Sequence, residues 1–221
     1  MPMGDRYWRN QNLYLESFGV PYKGSGKKDI RGTINELAFM VFCKLSEDDL
    51  QPDLDLATAL AGSFAGEAIQ YTSRFTRRKT NKRPSMSDAS LGEAAFLAVN
   101  QLRFFKYSHF VNSSYVTRPK FGGCGILASC EGDVLTNDTL FEVKAGERTF
   151  RITDLRQLLT YSALAHASGA LTFSKIGLLN PRTGTFWIRD LDVVCRATSG
   201  LRSSDVFEAL VNAVTQPLTS R

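Results

Sequence analysis

The chain has 221 residues, of which 43% are hydrophobic and 22% are charged, a composition typical of a globular protein with an apolar core. This composition excludes wholesale disorder, and no apolar run approaches the roughly 18 residues that cross a bilayer. The net charge is +5 at pH 7. The first residues lack the apolar stretch of a secretory signal, so we expect a cytoplasmic protein.

Three helices are predicted in the first half of the chain. Apolar residues recur at helical spacing from Gly32 to about Ser46, from Asp55 to Phe75, and from Ser87 or Asp88 to Phe105. The residues before Gly32 show no clear period. The sequence therefore predicts a helical N-terminal part.

A strongly basic stretch spans residues 74–83, between the second and third predicted helices, and contains no acid. Such a run is either a solvated loop or a surface that contacts phosphate groups. Its six cations are Arg74, Arg77, Arg78, Lys79, Lys82 and Arg83.

The second half of the chain is richer in β-branched and aromatic residues, which favour strands. Helical periodicity returns from Ile152 to Leu164 and in a final helix at about Ser204–Val214. The predicted strands are Phe110–Thr117, Phe121–Leu127, Gly132–Leu135, Leu140–Lys144, Phe173–Leu179 and Thr185–Val194. This order predicts an α/β fold with a mixed central sheet in a single domain.

The four cysteines show no C-x2-C spacing of the kind that grips a metal. We expect reduced, mostly buried thiols and no iron–sulfur cluster. Neither His109 nor His166 has a partner at ligand spacing, so neither is predicted to bind metal.

Two acids are predicted to face each other across a hairpin. If Asn137 and Asp138, which tolerate positive φ, form a two-residue turn, Asp133 lies directly opposite Glu142. Opposed side chains have Cβ atoms about 4.5–5.5 Å apart, so the two like charges destabilise the hairpin unless something offsets them. A divalent cation would do so, and carboxylate ligands suit Mg²⁺ or Mn²⁺.

Lys144 projects from the same strand face as Glu142, because side chains alternate with a period of two. An ammonium group beside two carboxylates and a metal is placed to orient or deprotonate a water. The alternative is a solvent-facing strand on which acids and a lysine simply alternate outward. The apolar pair Phe141 and Val143 on the opposite face argues against that alternative.

These residues resemble the signature of the PD-(D/E)XK nuclease superfamily. Gly132-Asp133, followed nine residues later by Glu142-Val143-Lys144, is similar to its G-D…E-x-K motif. Gln157 and Tyr161 resemble the Q-x3-Y motif of the RecB-like and lambda-exonuclease-like branch. The resemblance covers roughly residues 85–190 and is strongest from Gly132 to Tyr161.

The resemblance implies a role for each matched residue. Asp133, Glu142 and the Val143 carbonyl would be metal ligands, and Lys144 would orient or activate the attacking water. Gln157 and Tyr161, on one helix face, would steady the lysine, the substrate phosphate or the metal waters.

The family usually adds an acid or histidine from the helix before the sheet. Glu93 is our preferred candidate for this role, since it lies on the last helix before the strands. Glu67, in Gly66-Glu67, is the rival. The family's proline before the aspartate is replaced here by Gly132.

The resemblance also implies a restriction-endonuclease-like core, α-β-β-β-α-β. We expect an N-terminal helical extension with a basic loop at 1–84, the nuclease core at 85–195 and a C-terminal helix at 196–221. The implied activity is metal-dependent hydrolysis of DNA, with RNA not excluded, in prokaryotic or phage defence or DNA processing. The alternative is a noncatalytic or partner-gated nucleic-acid-binding subunit of a larger complex.

Partners follow from this interpretation. The basic stretch, together with Arg156 and Arg182, is predicted to contact phosphates of the nucleic acid. A small nuclease needs its cleavage confined, so a separately encoded partner such as an ATPase, or a homo-oligomer, is expected, and a membrane is not.

Overall fold

A computed structural model describes residues 2–24, 28–75, 85–108, 111, 114–170 and 172–215. A mainly helical first half is followed by five short strands, one helix, two strands and two helices. The helices are α1 (Pro2–Gln11), α2 (Arg31–Glu47), α3 (Leu54–Ser73), α4 (Asp88–Tyr107), α5 (Ile152–Ala167), α6 (Leu191–Ser199) and α7 (Ser203–Thr215). The strands are β1 (Glu16–Ser17), β2 (Tyr115–Thr117), β3 (Lys120–Phe121), β4 (Cys130–Glu131), β5 (Val134–Thr136), β6 (Thr139–Val143), β7 (Lys175–Asn180) and β8 (Thr185–Asp190).

The chain divides into two compact units. The sheet unit comprises Met1–Ser17, Ser113–Asn180 and Thr185–Arg221. The helical unit comprises Phe18–Asn112 and Pro181–Gly184, and so holds α2, α3 and α4. These boundaries differ from the division between residues 84 and 85 that the sequence suggests, because α4 packs with α2 and α3.

The sheet unit is built on a six-stranded sheet with the order β1-β8-β7-β6-β5-β2. Strands β6 and β7 run parallel, and every other neighbouring pair in this sheet is antiparallel. Helix α5 makes the crossover between the parallel strands, which such a connection requires. The predicted mixed α/β fold with a central sheet flanked by helices is confirmed.

One apolar core joins the sheet to the helices of this unit. Leu140 of β6 pairs with Ile176 of β7, Leu178 of β7 pairs with Trp187 of β8, and all four side chains are buried. Trp8 of α1 meets Trp187 edge to face, with ring centroids 5.0 Å apart. Helices α5, α6 and α7 add Leu158, Val194 and Phe207 to the same core.

The helical unit follows from the predicted periodicities. Ile34, Leu37 and Val41 form the buried stripe of α2, and the small Ala57 and Ala61 allow close packing of α3. The Asp53 and Ser87 side chains cap the N-termini of α3 and α4 by accepting backbone N–H groups. All three predicted helices of this half are confirmed.

The sequence does not predict helices α1 and α6. Helix α1 has no clear apolar period, yet it is held by Trp8, whose indole N–H donates to the Phe150 carbonyl at 2.9 Å. The predicted strand Thr185–Val194 is wrong beyond Asp190, because the Asp190 carboxylate caps the start of α6. The predicted strand Phe121–Leu127 is also wrong over most of its length, and only Phe121 lies in a strand.

Within the described residues, no helix combines the length and apolar character that crossing a membrane requires. The four cysteines are free thiols. Cys43 and Cys195 are buried, and Cys124 and Cys130 are partly exposed.

Candidate functional site

The β5–β6 hairpin sets the two acids of the site opposite each other. Val134 pairs with Phe141 and Leu135 pairs with Leu140, which is the predicted register. The same register brings Asp133 opposite Glu142, one step beyond the last paired residues. The Val143 N–H donates to the Asp133 Oδ2 at 2.6 Å, which fixes the Asp133 side chain against β6.

The turn achieves this register differently from the prediction. Neither Asn137 nor Asp138 has a positive φ. Instead, the Thr136 hydroxyl oxygen accepts the Thr139 N–H at 3.0 Å and closes the turn. Lys175 donates to Asp138 at 2.7 Å and ties the turn to β7.

Helix α5 brings the glutamine and tyrosine to the carboxylates. Glu142 shares its strand face with Leu140, which belongs to the core beneath the helices, so its side chain meets α5. Gln157 and Tyr161 lie one turn apart on that helix. The Tyr161 ring stacks on Phe121, with ring centroids 5.7 Å apart, and this contact holds its hydroxyl toward Gln157.

Four predicted side chains form one hydrogen-bonded cluster. Lys144 Nζ lies 2.8 Å from Glu142 Oε1 and 2.8 Å from Gln157 Oε1. Gln157 Nε2 donates to Glu142 Oε1 and to the Tyr161 hydroxyl, each at 2.7 Å. The glutamine amide therefore bridges the lysine, the glutamate and the tyrosine.

The start of α5 is anchored by a buried acid. Asp154 accepts two hydrogen bonds from the Arg148 guanidinium, at 2.7 and 2.9 Å, and one from the Arg151 N–H at 2.7 Å. Burial alone would raise the pKa of Asp154, but these donors hold it below its ordinary value. A carboxylate in the first turn also interacts favourably with the helix dipole. The pair of Asp154 with Arg148 therefore fixes the first turn of α5, and Gln157 lies one turn further along.

Burial and mutual repulsion disfavour charge on the two acids. The pKa of Glu142 is raised to about 8, first by burial and then by the Asp133 charge, against the opposing effect of Lys144. Burial also raises the pKa of Asp133, although the Val143 N–H and the charges of Lys144 and Arg118 oppose this shift. In the absence of a cation, the pair therefore tends to keep a proton near neutral pH.

Tyr161 is held as a neutral phenol. Its pKa rises to about 12, mainly because of burial, while the hydrogen bond with Gln157 partly opposes the shift. Tyr161 can therefore position the Gln157 amide, but it does not supply a base near neutral pH.

The residues present fit a hard divalent cation. Glu142 Oε2 is buried and has no hydrogen-bond partner, while Glu142 Oε1 accepts from Lys144 and Gln157. An acceptor oxygen buried without a donor, beside a second carboxylate, is what a cation would satisfy. The described residues contain no group of three or more His, Cys, Asp or Glu side chains able to hold a metal. A cation held by Asp133 and Glu142 would therefore have only two carboxylate ligands and would keep several waters, as Mg²⁺ usually does.

A backbone hydrogen bond and tight packing favour glycine at position 132, directly before Asp133. Its N–H donates to the Pro119 carbonyl at 2.9 Å, a bond that a proline could not make. A Cβ at this position would lie 3.1 Å from Phe121 and 3.2 Å from Leu140. The departure from the family pattern therefore preserves the backbone pairing next to Asp133.

Glu93 and Arg182, predicted for two different roles, form an ion pair within the helical unit. Arg182 Nη1 lies 2.6 Å from Glu93 Oε1, and the two side chains are 3% and 1% exposed. Arg182 also donates to Asn35 at 3.2 Å. The guanidinium is thus buried against protein, which contradicts its predicted contact with a phosphate. The rival acid Glu67 is exposed on α3.

Two of the other predicted phosphate-binding residues lie on the surface. Arg74 is exposed at the C-terminal end of α3, and Arg156 is exposed on α5, directly before Gln157. The predicted contacts of Arg77, Arg78, Lys79, Lys82 and Arg83 lie outside the described residues.

Sequence reasoning missed Arg118, whose charge acts on Asp133. Its backbone N–H donates to the Asp133 carbonyl at 2.9 Å, and its φ of 54° is positive. Only the β2–β5 register shows that Arg118 lies opposite Asp133, and no sequence pattern near Arg118 predicts that register.

Comparison of the chain with protein-family models, with curated proteins and with solved structures gave no significant match. The likeness to the PD-(D/E)XK nucleases therefore rests on the motif residues and their spacing.

Proposed function

We propose that this protein is a divalent-metal-dependent deoxyribonuclease of the PD-(D/E)XK type. The observation that carries the proposal is the cluster in which one ammonium, Lys144, binds both Glu142 and Gln157 beside the Asp133 carboxylate. Five residues matched to the motif by order alone come together in the folded sheet unit. Chance matches in sequence would have no reason to do so.

The topology around the cluster supports a restriction-endonuclease-like core. Strands β2, β5 and β6 form an antiparallel set, α5 follows, and β7 returns parallel to β6. With α4 before them in the chain, these elements follow the order α-β-β-β-α-β. The short β3–β4 pair is inserted between β2 and β5.

Asp133, Glu142 and the Val143 carbonyl would hold Mg²⁺ or Mn²⁺. When bound, the cation lowers the pKa of a water ligand and offsets negative charge on the phosphate. Glu142 Oε2 supplies the acceptor, because it has no hydrogen-bond partner among the described residues.

Lys144 would orient the attacking water. An ammonium has three N–H donors, and in the described part of the chain two of them are taken by Glu142 Oε1 and Gln157 Oε1. The third is left for a water or a phosphate oxygen. Gln157 fixes the direction of that donor, since it holds both the lysine and the glutamate.

A cleavage assay tests this function. Purified protein is incubated with labelled linear duplex, circular duplex and single-stranded DNA, and with RNA, in Mg²⁺, Mn²⁺ or EDTA. Lys144→Met is the test variant, and Lys175→Met is the matched control, because Lys175 also pairs with one carboxylate in the sheet unit but lies far along the sheet at Asp138.

We expect metal-dependent cleavage by the wild type and by Lys175→Met, and a loss of at least about 100-fold in Lys144→Met, the range typical for positioned proton-transfer groups. Lys144→Met should still bind DNA. Binding of DNA without cleavage by the wild type under any of these conditions would contradict the nuclease and favour the noncatalytic subunit.

A further inference from the structure

Arg118 lies in line with the two carboxylates across three strands. The β2–β5 register pairs Thr117 with Val134, so the next step pairs Arg118 with Asp133. The hydrogen bond from the Arg118 N–H to the Asp133 carbonyl, at 2.9 Å, confirms that step. Asp133 in turn stands opposite Glu142, and β2 is the last strand at its edge of the sheet. Arg118 therefore lies at the edge of the sheet, in the same cross-strand row as Asp133 and Glu142.

The backbone holds Arg118 in a conformation that arginine rarely adopts. Its φ of 54° is in the left-handed region, where glycine is favoured. Pro119 follows it and restricts its backbone further. The only other non-glycine residue with positive φ in the described chain, Asp49, has a short polar side chain that tolerates it and follows a helix C-terminus. Strained conformations of this kind concentrate at functional sites.

The strand pairing stays in register on both sides of Arg118. Lys120 pairs with Glu131 and Phe121 with Cys130, which continues the alignment of β2 with β5. The Arg118 side chain is exposed to solvent, and its charge stabilises the ionised form of Asp133.

We propose that Arg118 binds a backbone phosphate of the DNA next to the metal ligands. The proposal rests on the nuclease function proposed above and names a binding residue that no motif position supplies. A guanidinium offers a planar pair of N–H donors that matches two phosphate oxygens. Arg118 and the cation would approach the phosphodiester backbone from neighbouring positions on one line across the sheet.

The rival role is that of a counter-ion. In that role, Arg118 would serve only to reduce the repulsion between Asp133 and Glu142, and a bound cation would take its place. The two roles differ in their effect on DNA, because a counter-ion alone leaves the KM for DNA and its salt dependence unchanged.

Arg118→Gly is the test variant, since glycine adopts the observed φ without strain and folding is retained. Arg118→Lys keeps the charge without the planar pair of donors. Arg202→Ala is the matched control, because Arg202 is another exposed arginine of the sheet unit and its loss changes the net charge equally. Each protein is assayed for steady-state cleavage of labelled DNA over a range of salt concentrations, and for its melting temperature.

We expect Arg118→Gly to raise the KM for DNA at least about tenfold, and to lower the slope of binding against log salt by about one, as loss of one phosphate contact does. Its melting temperature should not fall, and Arg118→Lys should lie between Arg118→Gly and the wild type. An unchanged KM and salt slope in Arg118→Gly, with cleavage by the wild type intact, would overturn the role of Arg118 and leave the nuclease standing. No cleavage by the wild type would overturn both.

Discussion

At the scale of single residues, the Gln157 amide is the centre of the site. Its oxygen accepts from Lys144, and its nitrogen donates to Glu142 and Tyr161. The spacing of four between Gln157 and Tyr161 predicts that they share a helix face, and the structure shows that they touch. The hydrogen bonds to Lys144 and Glu142 could not be predicted from spacing, because they depend on how α5 lies against β6.

Removing the Tyr161 hydroxyl tests whether this amide needs its tyrosine partner. In Tyr161→Phe the ring can still stack on Phe121, so folding should be retained. Loss of one hydrogen bond, about 1 kcal/mol, should slow single-turnover cleavage roughly fivefold. Tyr14→Phe, which changes an exposed tyrosine of the sheet unit, is the control. An unchanged rate in Tyr161→Phe would show that Gln157 is oriented without it.

The carboxylate pair should make the metal-free protein less stable as pH rises. The pKa of Glu142 is about 8 in the folded chain against an ordinary value of 4.5, so between these values the folded state binds more protons than the unfolded state. The stabilising effect of the proton is complete below pH 4.5 and lost as pH rises through about 8.

Glu142→Gln removes this dependence. In EDTA, its free energy of unfolding should exceed that of the wild type by an amount that grows from pH 5 to pH 9 and reaches several kcal/mol, since each pKa unit corresponds to about 1.4 kcal/mol. Denaturant unfolding across this range measures the difference. Glu131→Gln, on an exposed side chain of β4, should follow the wild type. Parallel pH profiles for Glu142→Gln and the wild type would contradict the raised pKa.

At the scale of elements, the sequence predicts most helices and the hairpin that carries the acids. The apolar stripes of α2 to α5 are regular, and the polar pair Asn137-Asp138 interrupts a run of strand residues. Helix α1 escapes prediction because its main anchor, Trp8, is held by residues far along the chain. Helix α6 escapes because its apolar residues directly continue those of β8, and only the cap by Asp190 marks the boundary.

The start of α5 should depend on Asp154. Asp154→Asn loses the charge-assisted pair with Arg148, which should lower the free energy of unfolding by about 1–3 kcal/mol. Asp48→Asn, which breaks an exposed pair with Lys44, should lower the free energy of unfolding by clearly less than Asp154→Asn does. Urea unfolding measures both variants.

The effect of Asp154→Asn also has a predictable pH dependence. Since the pKa of Asp154 is lowered in the folded chain, its stabilising effect is present above the ordinary value of 3.8 and is lost as pH falls below it. The wild type and Asp154→Asn should therefore converge in stability in acid. A constant difference down to low pH would show that the charge of Asp154 does not matter.

At the scale of the whole molecule, the chain folds as two units whose boundaries do not follow the motif. The resemblance covers residues 85–190, but α4 belongs to the helical unit. The pair of Glu93 with Arg182 joins residues far apart in sequence, and no local pattern predicts it. Motif spacing identifies the acids and the lysine of the sheet unit because they lie on one hairpin.

The Glu93–Arg182 pair should be a strong determinant of stability in the helical unit. Glu93→Gln leaves a buried guanidinium without its counter-ion, which should cost about 3–5 kcal/mol in the free energy of unfolding. Replacing both partners, as in Glu93→Gln with Arg182→Met, should recover much of this loss. Recovery is measured by denaturant unfolding of the single and double variants, and its absence would contradict the ion pair.

Binding of Mn²⁺ by Asp133 and Glu142 is the property on which the proposed nuclease depends, and calorimetric titration of the purified protein with Mn²⁺ measures it most directly. We expect saturable binding by the wild type that strengthens as pH rises toward 8, because Glu142 must release its proton. Binding should be lost in Asp133→Asn and retained in Lys144→Met. Equal Mn²⁺ affinity in the wild type and Asp133→Asn, or no binding by the wild type at pH 8, would contradict the metal site and the nuclease with it.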